Sequence, residues 1–263
     1  MQTFVQGRRK NLNAGEPIHM PWRSLKQAGA FVRRGQLTLI VASAGTGKSL
    51  FAHSLVQRGD DNGNVNNTFY VSSDSDSSVM FKRSAAIATG YAVSDIDRLI
   101  EDDNAEGLEA AVANATGHIR LDFRAQVTDQ DLLDDLDAYA EVWGRRPEVL
   151  VVDNLSNLAA GGGEDDFSSL QENCFFLQEL AREMNCAVIA THHTNAAHEA
   201  TGQPVPLSGV KDRLSKTPEV IFTLFRSGES LGVSPVKNRN GAANADGSNP
   251  IMLHADLSRM RLG

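Results

Sequence analysis

The chain has 263 residues, with Lys+Arg 25 against Asp+Glu 33 and a formal net charge of −8 at pH 7. With 41% apolar and 22% charged residues it has a globular composition and enough length to bury a sizeable core, which excludes wholesale disorder. The acidic balance excludes a protein that coats DNA by bulk charge, so any nucleic acid has to be met through a local basic patch.

The N-terminus, MQTFVQGRRK, has basic residues but no apolar core behind them, which argues against a signal peptide. Residues 1–20 read as a short arm with Arg8, Arg9 and Lys10 at its centre, and 21–263 as one domain. The longest mainly apolar stretch, Leu37 to Ala44, is far short of the about 20 residues that span a bilayer. Apolar, β-branched runs predict strands over Leu37–Val41, Thr68–Ser72, His118–Phe123, Glu148–Val152, Ala187–Thr191, Glu219–Leu224, Leu231–Val236 and Ile251–His254. Helices are predicted over Lys48–Gln57 and Val79–Thr89, and from Thr128, where Leu132, Leu133, Leu136, Ala140 and Trp143 share a face. From Phe167, the positions Leu170, Cys174, Leu177, Ala181 and Met184 recur at three- and four-residue steps, giving an amphipathic helix of about five turns. Cys174 falls on that stripe as a core residue. With Cys186 the only other cysteine and no CxxC, a disulfide framework and a zinc module are both excluded, and a cytoplasmic protein is expected. Alternating strands and helices predict an α/β fold with a mainly parallel sheet, and the residues from Glu219 read as an all-β finish.

The motif that decides the class is Leu37-Thr-Leu-Ile-Val-Ala-Ser-Ala-Gly-Thr-Gly-Lys-Ser49. A strand runs into a glycine-rich loop and a helix opens after it, the context of the phosphate-loop pattern G-x-x-x-x-G-K-[ST] with Ala42 at its first position. Gly45 and Gly47 let the backbone approach a phosphate, and the helix start offers N–H groups to it. The expected nucleotide-binding set is Ala42, Ser43, Ala44, Gly45, Thr46, Gly47, Lys48, Ser49 and Leu50. Lys48 would meet the β- and γ-phosphates of ATP, and Ser49 the Mg²⁺ ion. A second apolar strand ends in Asp153, a carboxylate suited to ordering the same Mg²⁺.

Taken together, these segments resemble the RecA-like C-terminal motor domain of DnaB-type replicative helicases, over about residues 20 to 262. The resemblance implies a RecA-like phosphate-loop fold, a central sheet flanked by helices with a C-terminal β-hairpin region. In that family the loop commonly begins with Ala, as here. A Ser-Leu-Glu-type segment there supplies the glutamate that activates water; here Ser72-Ser-Asp74 puts an aspartate in its place, with Asp76 as a substitute. The family's γ-phosphate-sensing Gln becomes His193, with Asn195 matching behind it. Lys211, Arg213 and Lys216 fall in a segment like the family's DNA-facing loop, although spacing alone favours a solvated basic helix end. Val236-Lys-Asn-Arg-Asn-Gly241 resembles the K-x-R-x-G segment that acts in the neighbouring subunit's site, implying that Lys237 and Arg239 work in trans. A homo-oligomer, six-membered by likeness, would then carry single-stranded DNA in a central channel. Only some 20 residues precede the motor-like region, where the family has a primase-interacting domain and a linker helix, so a compact phage-encoded version acting in the host cytoplasm is expected.

Two other functions fit the same residues. A recombination or strand-annealing ATPase of the wider RecA-like group shares the motifs. A metal-dependent nuclease could instead use Asp74, Asp76, Asp153, His192 and His193, all expected at the carboxyl ends of strands. The acidic residues of the helix from Thr128 read as a solvated outer face or a docking surface for a basic partner.

Overall fold

The computed structural model describes residues 15–159, 166–199 and 202–263. Its organising strand is β1 (Leu37–Ala42), buried on both faces as a central parallel strand must be. Leu37, Leu39 and Val41 point into one apolar layer, while Ile40 and Ala42 point into the other. Around it lie β2 (Thr68–Ser72), β3 (Ile119–Asp122), β5 (Val149–Asp153), β7 (Ala187–His193), β8 (Val220–Ser227), β9 (Ser230–Asn238), β10 (Ile251–Asp256) and β11 (Arg261–Leu262). The spatial order is β3-β2-β5-β7-β1-β8-β9-β10-β11. Strands from β3 to β8 pair in parallel, and β8 to β11 are antiparallel, which is the predicted all-β finish. A separate two-stranded piece joins β4 (Val127–Thr128) to β6 (Leu158–Ala159).

Helices cover both faces. On one, α1 (Arg23–Gln27) and α2 (Lys48–Gln57) pack with Ile18, Met20 and Trp22, so Ile18 and Met20 are already part of the core. Trp22 stacks on Phe51 with ring centroids 4.6 Å apart. On the other face lie α6 (Asp129–Trp143) and α7 (Asp166–Met184), joined to the sheet by Leu132, Leu136, Leu170, Cys174 and Leu177. Phe167 lies outside the described side chains, as do Arg8, Arg9 and Lys10.

The predicted strands are all present, with ends moved by up to three residues. Helix α3 (Ser77–Thr89) starts before Val79 because Asp76 caps it, accepting the Val79 N–H at 2.8 Å. Helices α4 (Val93–Glu101) and α5 (Glu106–Thr116) lay outside the sequence reading; with α3 they share a small core of Ala85, Ala86, Ile96 and Leu108. Trp143 departs from its expected core role. The last turn of α6 overruns the sheet edge at β3, leaving the indole 45% exposed under the Arg120 guanidinium.

Candidate active site

β1 ends beside β7, with Ala42 opposite His193, and the loop from Ala42 to Ser49 leads into α2. Gly47 (φ 113°) is the N-cap of α2 and Gly45 has φ 72°, both in the left-handed region that a side chain resists. No side chain caps α2, so its first-turn N–H groups are left for an anion. Lys48 is buried, and its Nζ lies 3.4 Å from His193 Nδ1, so the lysine and the expected phosphate sensor converge. Burial lowers the Lys48 pKa, opposed by the negative charges of Asp153 and then Asp74. Burial, and then the Lys48 charge, lower that of His193, which favours a neutral imidazole.

Asp153 ends β5 and is 1% exposed. Thr191 of β7 donates to its Oδ1 at 2.6 Å and Tyr70 of β2 to its Oδ2 at 2.9 Å, so both flanking strands orient the carboxylate. An oriented carboxylate and the Ser49 hydroxyl are hard oxygen donors, a set that fits Mg²⁺. Asp74, just beyond the end of β2, is exposed and accepts a 2.7 Å hydrogen bond from Asn154 Nδ2. Asp76, exposed, caps α3 through Oδ1.

Other expected residues disperse. His192 is buried with Nε2 3.5 Å from Asp212 Oδ2, and burial, reinforced by the neighbouring His193, pushes it down to about 4. Among the described residues no three His, Cys, Asp or Glu side chains gather to hold a metal, and with Asp76 on a helix cap and His192 buried the nuclease constellation does not assemble. Asn195 binds the Leu207–Gly209 turn, its Nδ2 donating to the Ser208 carbonyl at 3.1 Å. Lys211 lies by His192 at the carboxyl end of β7, whereas the Lys216 carbonyl accepts from Lys237 Nζ at 2.9 Å and from Arg239 at 3.0 Å. The expected basic cluster is therefore drawn apart along the loop, and the Arg213 side chain is not described.

Lys237 and Arg239 stand far from the phosphate loop of their own chain. Antiparallel pairing sets Asn238 against Val220, and Val220 lies beside Thr38 at the start of β1. From that level to Ala42, where the phosphate loop begins, is four residues of β1, about 13 Å at roughly 3.3 Å per residue. Sequence reasoning missed a pocket of about 260 Å³ beside Ser43–Thr46, walled by His198, Gln203, Phe225 and Arg226. These residues carry no local motif; only the pairing of β8 with β1 brings Phe225 and Arg226 to the loop.

The sheet order and the loop between β1 and α2 place the chain among phosphate-loop nucleoside triphosphatases of RecA-like fold. Residues 21–199 match the AAA domain family AAA_25, so the chain belongs to that family and carries its ATPase domain. The Gene 65 protein of Mycobacterium phage L5 is 34% identical over 246 residues, covering 89% of this chain and 88% of the relative. Its counterpart from Mycobacterium phage D29 is 31% identical over 223 residues, covering 81% and 92%. These relatives accord with the expected phage-type ATPase. A solved ATPase domain superposes with TM-score 0.77 at 16% identity, over 98% of this chain and 94% of its own. A DnaB-like replicative helicase, described with its interactions with primase, gives TM-score 0.77 at 17% identity over 98% of this chain. The chain spans 64% of that helicase's length, and at such identities the likeness is one of fold. Among the described residues no helix is long and apolar enough to cross a membrane.

Proposed function

We propose that the chain is the ATP-hydrolysing motor of a ring-forming, DnaB-like assembly that moves on single-stranded DNA in replication. One observation carries this reading: the site is split between the two ends of the sheet. Lys48, Ser49, Asp74, Asp153 and His193 gather at one end, while Lys237 and Arg239 lie at the other. A second copy has to present its own Lys237 and Arg239 for the set to be complete.

In this mechanism the α2 N-terminus and loop amides bind the phosphates, with Lys48 on the β- and γ-phosphates. Ser49 and Asp153 would hold Mg²⁺, which would supply charge neutralisation at the phosphate oxygens. Asp74 accepts the proton of the attacking water, and neutral His193 donates an N–H to the γ-phosphate. The neighbour's Arg239 stabilises charge on the transferred phosphoryl group, a contribution of about 10³–10⁵ in rate for such fingers. The pocket walled by Phe225 and Arg226 takes the nucleoside. Lys211, Arg213 and Lys216 face DNA at separate points along one loop, in keeping with a thread of backbone phosphates.

Mg²⁺-dependent ATP hydrolysis with and without single-stranded DNA tests this, with Lys48→Ala as the blank. Several-fold stimulation, lost in the blank, together with unwinding of a forked duplex is expected. Hydrolysis indifferent to DNA would remove the nucleic-acid motor from the reading, and stimulation without unwinding would favour an annealing ATPase.

A further inference from the structure

Asp74 stands where the resembled family has a glutamate, one methylene longer, and the chain supplies a partner for it. Asn154, 5% exposed, follows Asp153 on the strand paired with β2 in the register Ser72↔Asp153. Its Nδ2 donates to Asp74 Oδ2 at 2.7 Å, while its Oδ1 accepts the Ser156 N–H at 2.7 Å. Turning the amide over would set NH₂ against N–H and oxygen against carboxylate, so only one orientation satisfies both partners. The backbone ties the same two segments together, the Ser73 N–H donating to the Asp153 carbonyl at 2.8 Å. Asp74 itself is exposed, yet close enough to Lys48 and His193 for its charge to act on both.

We propose that Asn154 is a positioning residue for water activation: it holds Oδ2 of Asp74 so that Oδ1 is presented to the attacking water. This rests on the ATPase reading and deepens it. A short carboxylate has little reach, so its direction has to be set by a neighbour, and the first residue after β5 is the one that does so. The same Asn154 oxygen begins the turn Leu155–Asn157, which fixes the amide at its root.

The test is a double-mutant cycle between positions 154 and 74, reading kcat, KM for ATP and binding of a non-hydrolysable ATP analogue. Asn154→Ala should lower kcat about tenfold, with KM and analogue binding within about twofold, since the lost bond is one to a charged group. Asn154→Asp keeps the turn's acceptor oxygen and replaces the donor with a carboxylate that repels Asp74, so kcat should fall at least as far, a readout that survives should the alanine variant fail to fold. Asp74→Asn should cost about 10²-fold or more as loss of a general base. In its background neither change at 154 should cost a further tenfold. Equal losses in both backgrounds, a loss confined to nucleotide binding, or an unchanged or raised kcat in Asn154→Asp would overturn the proposal while leaving the ATPase reading intact. Absence of Lys48-dependent hydrolysis in the unaltered protein would overturn both.

Discussion

Tyr70 and Thr191 reach the Asp153 carboxylate from the two strands that flank β5. Each leaves its carboxylate oxygen lone pairs for water, and each is buried, so the pair sets direction at little cost in side-chain freedom. Hydrogen bonds to charged groups are worth about 1.5–3 kcal/mol. Tyr70→Phe should therefore raise the Mg²⁺ concentration for half-maximal hydrolysis by about tenfold, a shift that titration of activity against Mg²⁺ would detect. His53 gives a pH effect with a defined sign. Burial, helped by the charge of Arg83, brings its pKa down to about 3, against 6.5 for an ordinary histidine. Between those values the unfolded chain takes up a proton that the folded chain refuses, so stability rises with pH through the window and is complete above about 6.5. The folded protein should lose about 2 kcal/mol from this residue on going from about pH 7.5 to about pH 5. Denaturant unfolding of His53→Gln should show a correspondingly smaller pH dependence.

At the scale of elements, the N-terminal segment, α2 and the last strand are fastened at one residue. Trp22 stacks on Phe51 of α2, and its Nε1 donates to the Leu262 carbonyl at 3.1 Å. Trp22→Ala removes a buried indole and leaves a cavity in that face, which costs about 3–5 kcal/mol. The melting temperature should fall by roughly 10 °C, measured by circular dichroism. On the opposite face α6 shows why periodicity reaches only so far. Leu132, Leu136 and Tyr139 are buried as an amphipathic helix requires. The stripe continues in the sequence to Trp143, but the sheet stops at β3, so the indole lies at its edge, half-exposed beside Tyr139 and under the Arg120 guanidinium. Helices α4 and α5 failed to register for the opposite reason. Val93, Ile96 and Leu99 recur at three-residue steps and Leu108 and Val112 at four, a helical period short enough to be passed over, and it is α3 that gives them a core.

For the whole molecule, the distance between Lys48 and Arg239 within one chain becomes a statement about assembly. On the proposed in-trans role, Arg239→Ala should abolish hydrolysis while leaving ATP binding nearly intact. Mixing Arg239→Ala subunits with Lys48→Ala subunits should restore part of the activity. Some interfaces then pair an intact phosphate loop with an intact Arg239. A mixture as inactive as either parent, in a sample shown by sedimentation to form mixed oligomers, would place both residues in one subunit's site.

The chain order of strands and helices, the phosphate loop and the terminal carboxylates of β2 and β5 were legible because each rests on local chemistry: apolar runs, glycines at a strand end, an acid closing a strand. Neighbours in space could not be read that way. The pocket wall at Phe225 and Arg226, the hydroxyls on Asp153 and the amide on Asp74 all come from strands distant in sequence. Their meeting depends on β5 lying between β2 and β7 and on β8 lying beside β1, an order made by burying two apolar faces at once.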